Sequence, residues 1–148
     1  MKFLIDNIFL LGLVVLSGGA LLFPMLRGRG NKVTTLQATQ LINQGKSLVL
    51  DVRDADSFAA AHLLDAKNIP LKDLAQRLVE IDKFKAKNVI VVCQTGVQSA
   101  KATSQLSAAG FEQVYNLEGG MAAWQTQGLP TISKESKVEN KTGNKVKA

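Results

Sequence analysis

Between Asn88 and Ser99 the chain reads NVIVVCQTGVQS, and this stretch limits the fold more than any other. Val89-Ile90-Val91-Val92 is an unbroken β-branched run. Such residues are stiff at the first side-chain torsion and suit a pleated sheet. No polar residue alternates with them, so both faces of the strand must be covered, as in a parallel sheet. A cysteine ends the run. A loop holding Gly96 follows, and a helix is expected from Ser99 to Ala109, stopped by Gly110.

The rest of the chain repeats this alternation. Thr34-Thr35-Leu36-Gln37 has the form of a capping box, with Thr34 as N-cap and Gln37 three residues on. Leu36, Leu41 and Ile42 give the helix after it an apolar face, and Gly45 is its expected stop. Ser47 to Val52 reads as a buried strand. A short helix from Ala55 to Ala61 is expected, with Asp54 as its cap. Asn68-Ile69-Pro70 is extended. Leu71, Leu74, Leu78 and Ile81 recur at near-helical spacing and predict an amphipathic helix. Gln113 to Leu117 is one more strand. Glu118-Gly119-Gly120 is a turn, and Met121 to Thr126 a short helix closed by Gly128 and Pro130. Strands alternating with helices imply an α/β domain built on a parallel sheet.

Charge is unevenly placed in the 148 residues. The net charge is +6, yet Val33 to Ile132 holds nine Lys/Arg and nine Asp/Glu. The excess lies in Arg27, Arg29 and Lys32 and in a tail with five Lys and two Glu after Ile132. A nucleic-acid-binding domain carries its basic residues on the folded body, so that class is not expected. The tail, residues 133–148, is polar and reads as disordered.

No charged residue occurs from Ile8 to Leu26, a run of 19. About 20 apolar residues suffice to cross a bilayer as a helix, and Gly12, Gly18, Gly19 and Pro24 are compatible with one. No small-x-small site follows the run, so an uncleaved anchor is expected over a signal peptide. Residues 1–7 form a short flank and 27–32 a basic linker. Arg27, Arg29 and Lys32 place the C-terminal part in the cytoplasm by the positive-inside rule. A single-pass protein of the cell membrane is the resulting expectation. The only cysteine, Cys93, cannot form an internal bridge, which suits a reducing compartment. Ser17-Gly18-Gly19-Ala20 could pack on a second helix, which makes a membrane protein a candidate partner; lipid-facing packing is at least as good a reading.

Cys93 is the residue most able to carry chemistry. It stands where ligands bind in open α/β sheets, at the carboxyl end of a strand. Loop N–H groups can converge there, and a helix N-terminus adds partial positive charge. A thiol so placed ionises more readily than free cysteine, whose pKa is about 8.5. With no second Cys or His, a zinc site has no ligands, and no metal is expected.

Cys93-x-x-Gly96-x-x-Ser99 resembles the active-site loop of rhodanese-like domains. Three further blocks match in order. Asp51-Val52-Arg53 with Phe58, His62, Ala66, Asn68, Ile69 and Pro70 is similar to the family's D-V-R…N-I-P block. Leu117-Glu118-Gly119-Gly120-Met121-x-x-Trp124 is similar to its L-x-G-G-x-x-x-W block, and Gly128-Leu129-Pro130 to its close. The resemblance covers residues 33–132. It implies a three-layer α/β/α domain with a five-stranded parallel sheet, here preceded by one transmembrane helix. It implies a sulfurtransferase that moves a sulfane sulfur from a donor such as thiosulfate to cyanide or a thiol, through a persulfide on Cys93. It needs no cofactor. Gln94, Thr95, Gly96, Val97, Gln98 and Ser99 would bind the thiolate and the substrate through loop amides.

Two departures stand out. Gln98 occupies a position where many members have Arg, which weakens the expected hold on an anionic donor; Lys101 lies close by. Ala61 and Leu63-Leu64-Asp65 replace the usual G and I-x-G. Cysteine phosphatases and arsenate reductases share a related fold but need Arg in the loop to grip an oxyanion. The absence of Arg argues against that class. A non-catalytic binding or scaffold module at the membrane is the alternative to the enzyme. Asp51 and Arg53 read as a structural ion pair, His62 as a hydrogen-bonded structural residue, and Trp124 as a packing anchor.

Overall fold

A computed structural model describes residues 7–26 and 31–133, with side chains except those of 20–26. The described elements are helix α1 (Ile8–Leu26), strand β1 (Asn31–Val33), α2 (Thr35–Asn43), β2 (Ser47–Asp51), α3 (Ala55–Ala60), β3 (Lys67–Asn68), α4 (Leu74–Arg77), a 3₁₀ segment (Leu78–Phe84), β4 (Asn88–Val92), α5 (Val97–Ala108), β5 (Gln113–Leu117) and α6 (Gly120–Thr126). The five strands form one sheet in the order β1-β5-β4-β2-β3. Every pairing is parallel.

The two-residue period of a strand divides the core. Leu48, Leu50 and Val52 of β2 and its exit, with Val89 and Val91 of β4, pack on one face with Leu74, Ile81, Ala102 and Leu106. Val49, Ile90 and Val92 point the other way, to Ala38, Met121 and Trp124. Both faces of β4 are thus covered, which is why its run contains no polar residue. The expected three-layer α/β/α arrangement with a five-stranded parallel sheet is the architecture found.

Local chemistry explains most boundaries. The box at the start of α2 closes as expected: Gln37 N–H donates to Thr34 Oγ1 at 3.3 Å, and Thr34 N–H donates to Gln37 Oε1 at 3.0 Å. The helix expected across Leu71, Leu74, Leu78 and Ile81 is not continuous. One α-turn gives way to a 3₁₀ segment. The tighter winding sets residues three apart on one edge, so Leu78 and Ile81 reach the same apolar layer. Helix α5 begins at Val97, two residues before the expected start. Asp54 stands at the N-cap of α3 as expected, but its side chain makes no cap bond. The sheet also takes in Asn31 and Lys32, placed in the linker by sequence, because they pair with Tyr115 and Asn116.

The N-terminal expectation needs correction. Helix α1 spans Ile8–Leu26, and every residue from Ile8 to Ser17 is exposed, Phe9 at 91%. Among the described residues no helix is long and apolar enough to cross a membrane. The transmembrane helix is therefore replaced by a narrower finding, an exposed apolar helix. The flank 1–6, Arg27, Arg29 and the Lys-rich tail 134–148 lie outside the described residues.

Candidate active site

Strand β4 is the middle strand of the sheet, and Cys93 follows its last residue. The side chain is 1% exposed. Its sulfur nevertheless meets polar groups. Gly96 N–H donates to Sγ at 2.9 Å, and Ser99 Oγ lies 3.2 Å away. Burial by itself pushes the Cys93 pKa up. The Ser99 hydroxyl and the N–H groups of Ser99, Gly96 and Thr95 outweigh it, and the thiol sits below its ordinary value. Hydrogen bonds to the charged form therefore decide the ionisation.

Two glycines make the cradle possible. Gly96 caps α5 at φ +92°, a conformation that L side chains rarely adopt. This reverses the chain so that its own N–H turns back to the sulfur. Gly120 also lies at positive φ, and a Cβ there would collide with the Cys93 carbonyl oxygen. That absence of a side chain lets Met121 N–H donate to Cys93 O at 2.8 Å and Ala122 N–H to Gln94 O at 3.0 Å. The start of α6 thus clamps the Cys93 loop from one side.

The side chains of the loop part company. Gln94 does not turn to the sulfur; its Oε1 accepts from Arg53 Nη1 at 3.3 Å. Thr95 and Gly96 contribute backbone N–H groups. Val97 is 67% exposed, and Gln98 is exposed as well. Ser99 is fully buried. The structure thus gathers Thr95, Gly96 and Ser99 around Sγ and leaves Val97 and Gln98 at the rim. Lys101 is exposed on α5.

Asn116 is a site residue that the sequence reading missed. It is buried on β5. Its Oδ1 accepts from Ser99 Oγ at 2.6 Å, and its Nδ2 donates to Gly96 O at 3.1 Å. One amide therefore holds both partners of the sulfur. The available signal was an amide near the end of the strand, two residues after Val114 and so on the same face. With its one proton on Asn116, the Ser99 hydroxyl accepts from the Cys93 thiol. When the thiol ionises, that proton can turn to the sulfur.

Support comes from a buried ion pair behind the loop. Arg53 Nη2 lies 2.7 Å from Asp51 Oδ2 and also donates to Ala61 O at 2.6 Å. Asn68 Nδ2 donates to the carbonyls of Asp51 and Arg53. His62 stacks on Phe58 with ring centroids 4.0 Å apart, and its Nδ1 lies 2.7 Å from Phe58 O. Trp124 Nε1 donates to Pro130 O at 3.0 Å. None of these side chains bonds the sulfur. Among the described residues no group of His, Cys, Asp and Glu is arranged to hold a metal.

The comparisons agree with this architecture. A family model described as the rhodanese-like domain matches residues 34–127. The Escherichia coli (strain K12) protein YibN, itself uncharacterized, is 35% identical over 111 residues, which is 74% of this chain and 78% of that protein. The rhodanese-like domain of Anabaena sp. Alr3790 superposes with a TM-score of 0.63 at 30% identity, over 71% of this chain and 81% of that one. A thiosulfate sulfurtransferase from Pseudomonas aeruginosa superposes with a TM-score of 0.62 at 26% identity, over 70% of this chain and 20% of that one. With the matched blocks forming one sheet and one sulfur cradle, the chain belongs to the rhodanese-like domain family.

Proposed function

We propose that the protein is a sulfurtransferase that carries a sulfane sulfur as a persulfide on Cys93. The observation that carries this reading is the Gly96 N–H at 2.9 Å and the Ser99 hydroxyl at 3.2 Å from Sγ, which favour a thiolate. In the first step the thiolate attacks the outer sulfur of thiosulfate. A Cys93 S–S bond forms, the donor S–S bond breaks, and sulfite leaves with the electron pair. In the second step cyanide or a thiolate attacks the outer sulfur of the persulfide. Thiocyanate or a small persulfide leaves, and Cys93 returns as thiolate. Loop amides serve both anions, so no metal or organic cofactor enters the scheme. The likeness to a thiosulfate sulfurtransferase supports the donor class.

The same reading holds the domain at the cytoplasmic face of the cell membrane. The uncharged run from Ile8 to Leu26 and the basic residues Arg27, Arg29 and Lys32 support it. A scaffold role is the second reading, favoured by Gln98, which leaves the loop without a guanidinium for an anionic donor.

Mass spectrometry after exposure to thiosulfate separates the two. The enzyme gains one sulfur, about 32 Da, on Cys93. Cyanide removes it, and Cys93→Ser never acquires it. A chain that takes sulfur from no sulfane donor is a scaffold.

A further inference from the structure

Next to the nucleophile loop lies a solvent-open cavity of about 400 Å³, lined by Val52, Asp54, Pro70, Leu71, Lys72 and Gln98. The backbone ties it to the sulfur. Val52 N–H donates to Val92 O, which brings Val52 level with Cys93 on the neighbouring strand. Leu71 N–H donates to Val52 O, and Gln98 belongs to the first turn of α5. The cavity thus sits at the carboxyl ends of β2 and β4, one strand from Sγ. Its size suits a ligand of amino-acid to short-peptide dimensions.

The lining is a weakly polar floor with two opposite charges. Val52, Pro70 and Leu71 supply the apolar part. Asp54 and Lys72 are exposed, and neither joins an ion pair or a side-chain hydrogen bond among the described residues. Asp54 is the more telling. An N-cap aspartate ordinarily accepts from the first turn of its helix, yet this one does not. Its carboxylate is free to meet a ligand in the cavity. A dianion entering here gains from Lys72 and loses to Asp54. A molecule with one charge of each sign gains from both.

We infer that this cavity seats the sulfur acceptor and selects a small thiol that bears both an ammonium and a carboxylate. The ammonium pairs with Asp54 and the carboxylate with Lys72. The stem lies over Val52, Pro70 and Leu71, and Gln98 bonds an uncharged polar group. The acceptor thiolate attacks the outer sulfur of the Cys93 persulfide. The persulfide bond breaks, its electron pair returns to Cys93, and the acceptor leaves as its own persulfide. No oxidant or reductant is consumed. This inference rests on the sulfurtransferase reading above.

The test uses the full chain, with Cys93 loaded from thiosulfate or inorganic polysulfide and the added sulfur confirmed by mass. Discharge is then timed with L-cysteine, 3-mercaptopropionate, cysteamine and 2-mercaptoethanol at equal thiolate concentrations. L-cysteine is expected to react about tenfold faster than 2-mercaptoethanol, as two charge-assisted contacts allow. Lys72→Ala is expected to shrink the advantage of L-cysteine over cysteamine. Asp54→Ala is expected to shrink its advantage over 3-mercaptopropionate. Four equal rates, or an equal slowing of all four acceptors in each variant, overturn the inference while leaving the enzyme intact. Failure of Cys93 to load from either donor overturns the sulfurtransferase reading, and this inference with it.

Discussion

At the scale of single residues, the site turns on what makes one buried sulfur easier to ionise. Burial opposes the charge, and the Ser99 hydroxyl with the loop N–H groups overcomes that opposition. Ser99→Ala removes one donor and leaves the amides, so the Cys93 pKa rises. Sulfur transfer near neutral pH should fall roughly three- to tenfold, the worth of one hydrogen bond. The pH profile of iodoacetamide alkylation checks this, and a profile that does not move would exclude Ser99 from the ionisation. The depressed pKa also has a sign in stability. Ionisation favours the folded state, so its contribution is complete above the unfolded value of about 8.5 and is lost as pH falls through the folded value. The stability gap between the wild type and Cys93→Ser should therefore shift in favour of the wild type as pH rises toward 8.5. Chemical denaturation across that range measures it. Asn116 acts one step back. Asn116→Ala leaves the Gly96 carbonyl and the Ser99 hydroxyl without their partner, at a cost of about 1–3 kcal/mol. A melting curve reads that cost.

At the scale of elements, the Cys93 loop is held by what packs on it. Helix α6 is anchored there through Met121 and Ala122 N–H groups, and only glycine fits at position 120. Gly120→Ala must push α6 off the loop or twist the loop itself. The expected result is at least about 2 kcal/mol of destabilisation and loss of persulfide formation. Circular dichroism melting with sulfur loading checks both, and a variant with wild-type melting and loading would disprove the clamp. The exposed network of Arg77, Glu80 and Lys67 is a weaker kind of fastening. Arg77 first, then Lys67, holds the Glu80 pKa down to about 2. Solvent screening leaves such pairs of little value to the fold.

At the scale of the whole molecule, the sheet and the apolar helix are separable. Helix α1 exposes its large side chains from Ile8 to Leu16, while the core clusters hold residues from Val33 onward. A chain that starts at Asn31 keeps β1 and both core layers. Its melting temperature should lie within about 3 °C of the full chain. It should also lose sedimentation with lipid vesicles that the full chain retains. A large drop in melting temperature would mean that α1 supports the domain. Equal sedimentation of both chains would remove α1 as the membrane contact.

Much of this protein is written locally. Strand β4 is legible because four consecutive β-branched residues permit little else, and α2 because Thr34 and Gln37 satisfy each other's backbone. Cys93 is legible because a strand, a glycine and a helix meet around it. The split of α4 into a 3₁₀ segment was not legible, because spacings of three and four residues fit both windings until the apolar layer chooses. Nor was Gln94, whose side chain goes to Arg53 instead of the sulfur. Asn116 lies 23 positions from Cys93 in the chain, and only the pairing of β5 with β4 brings it to Ser99. Short-range order follows from torsional preference and capping, which neighbours in the chain settle between themselves. The contacts of Asn116 with Ser99 and Gly96 come from strands joined across the sheet, and only their packing places these groups within reach of one another.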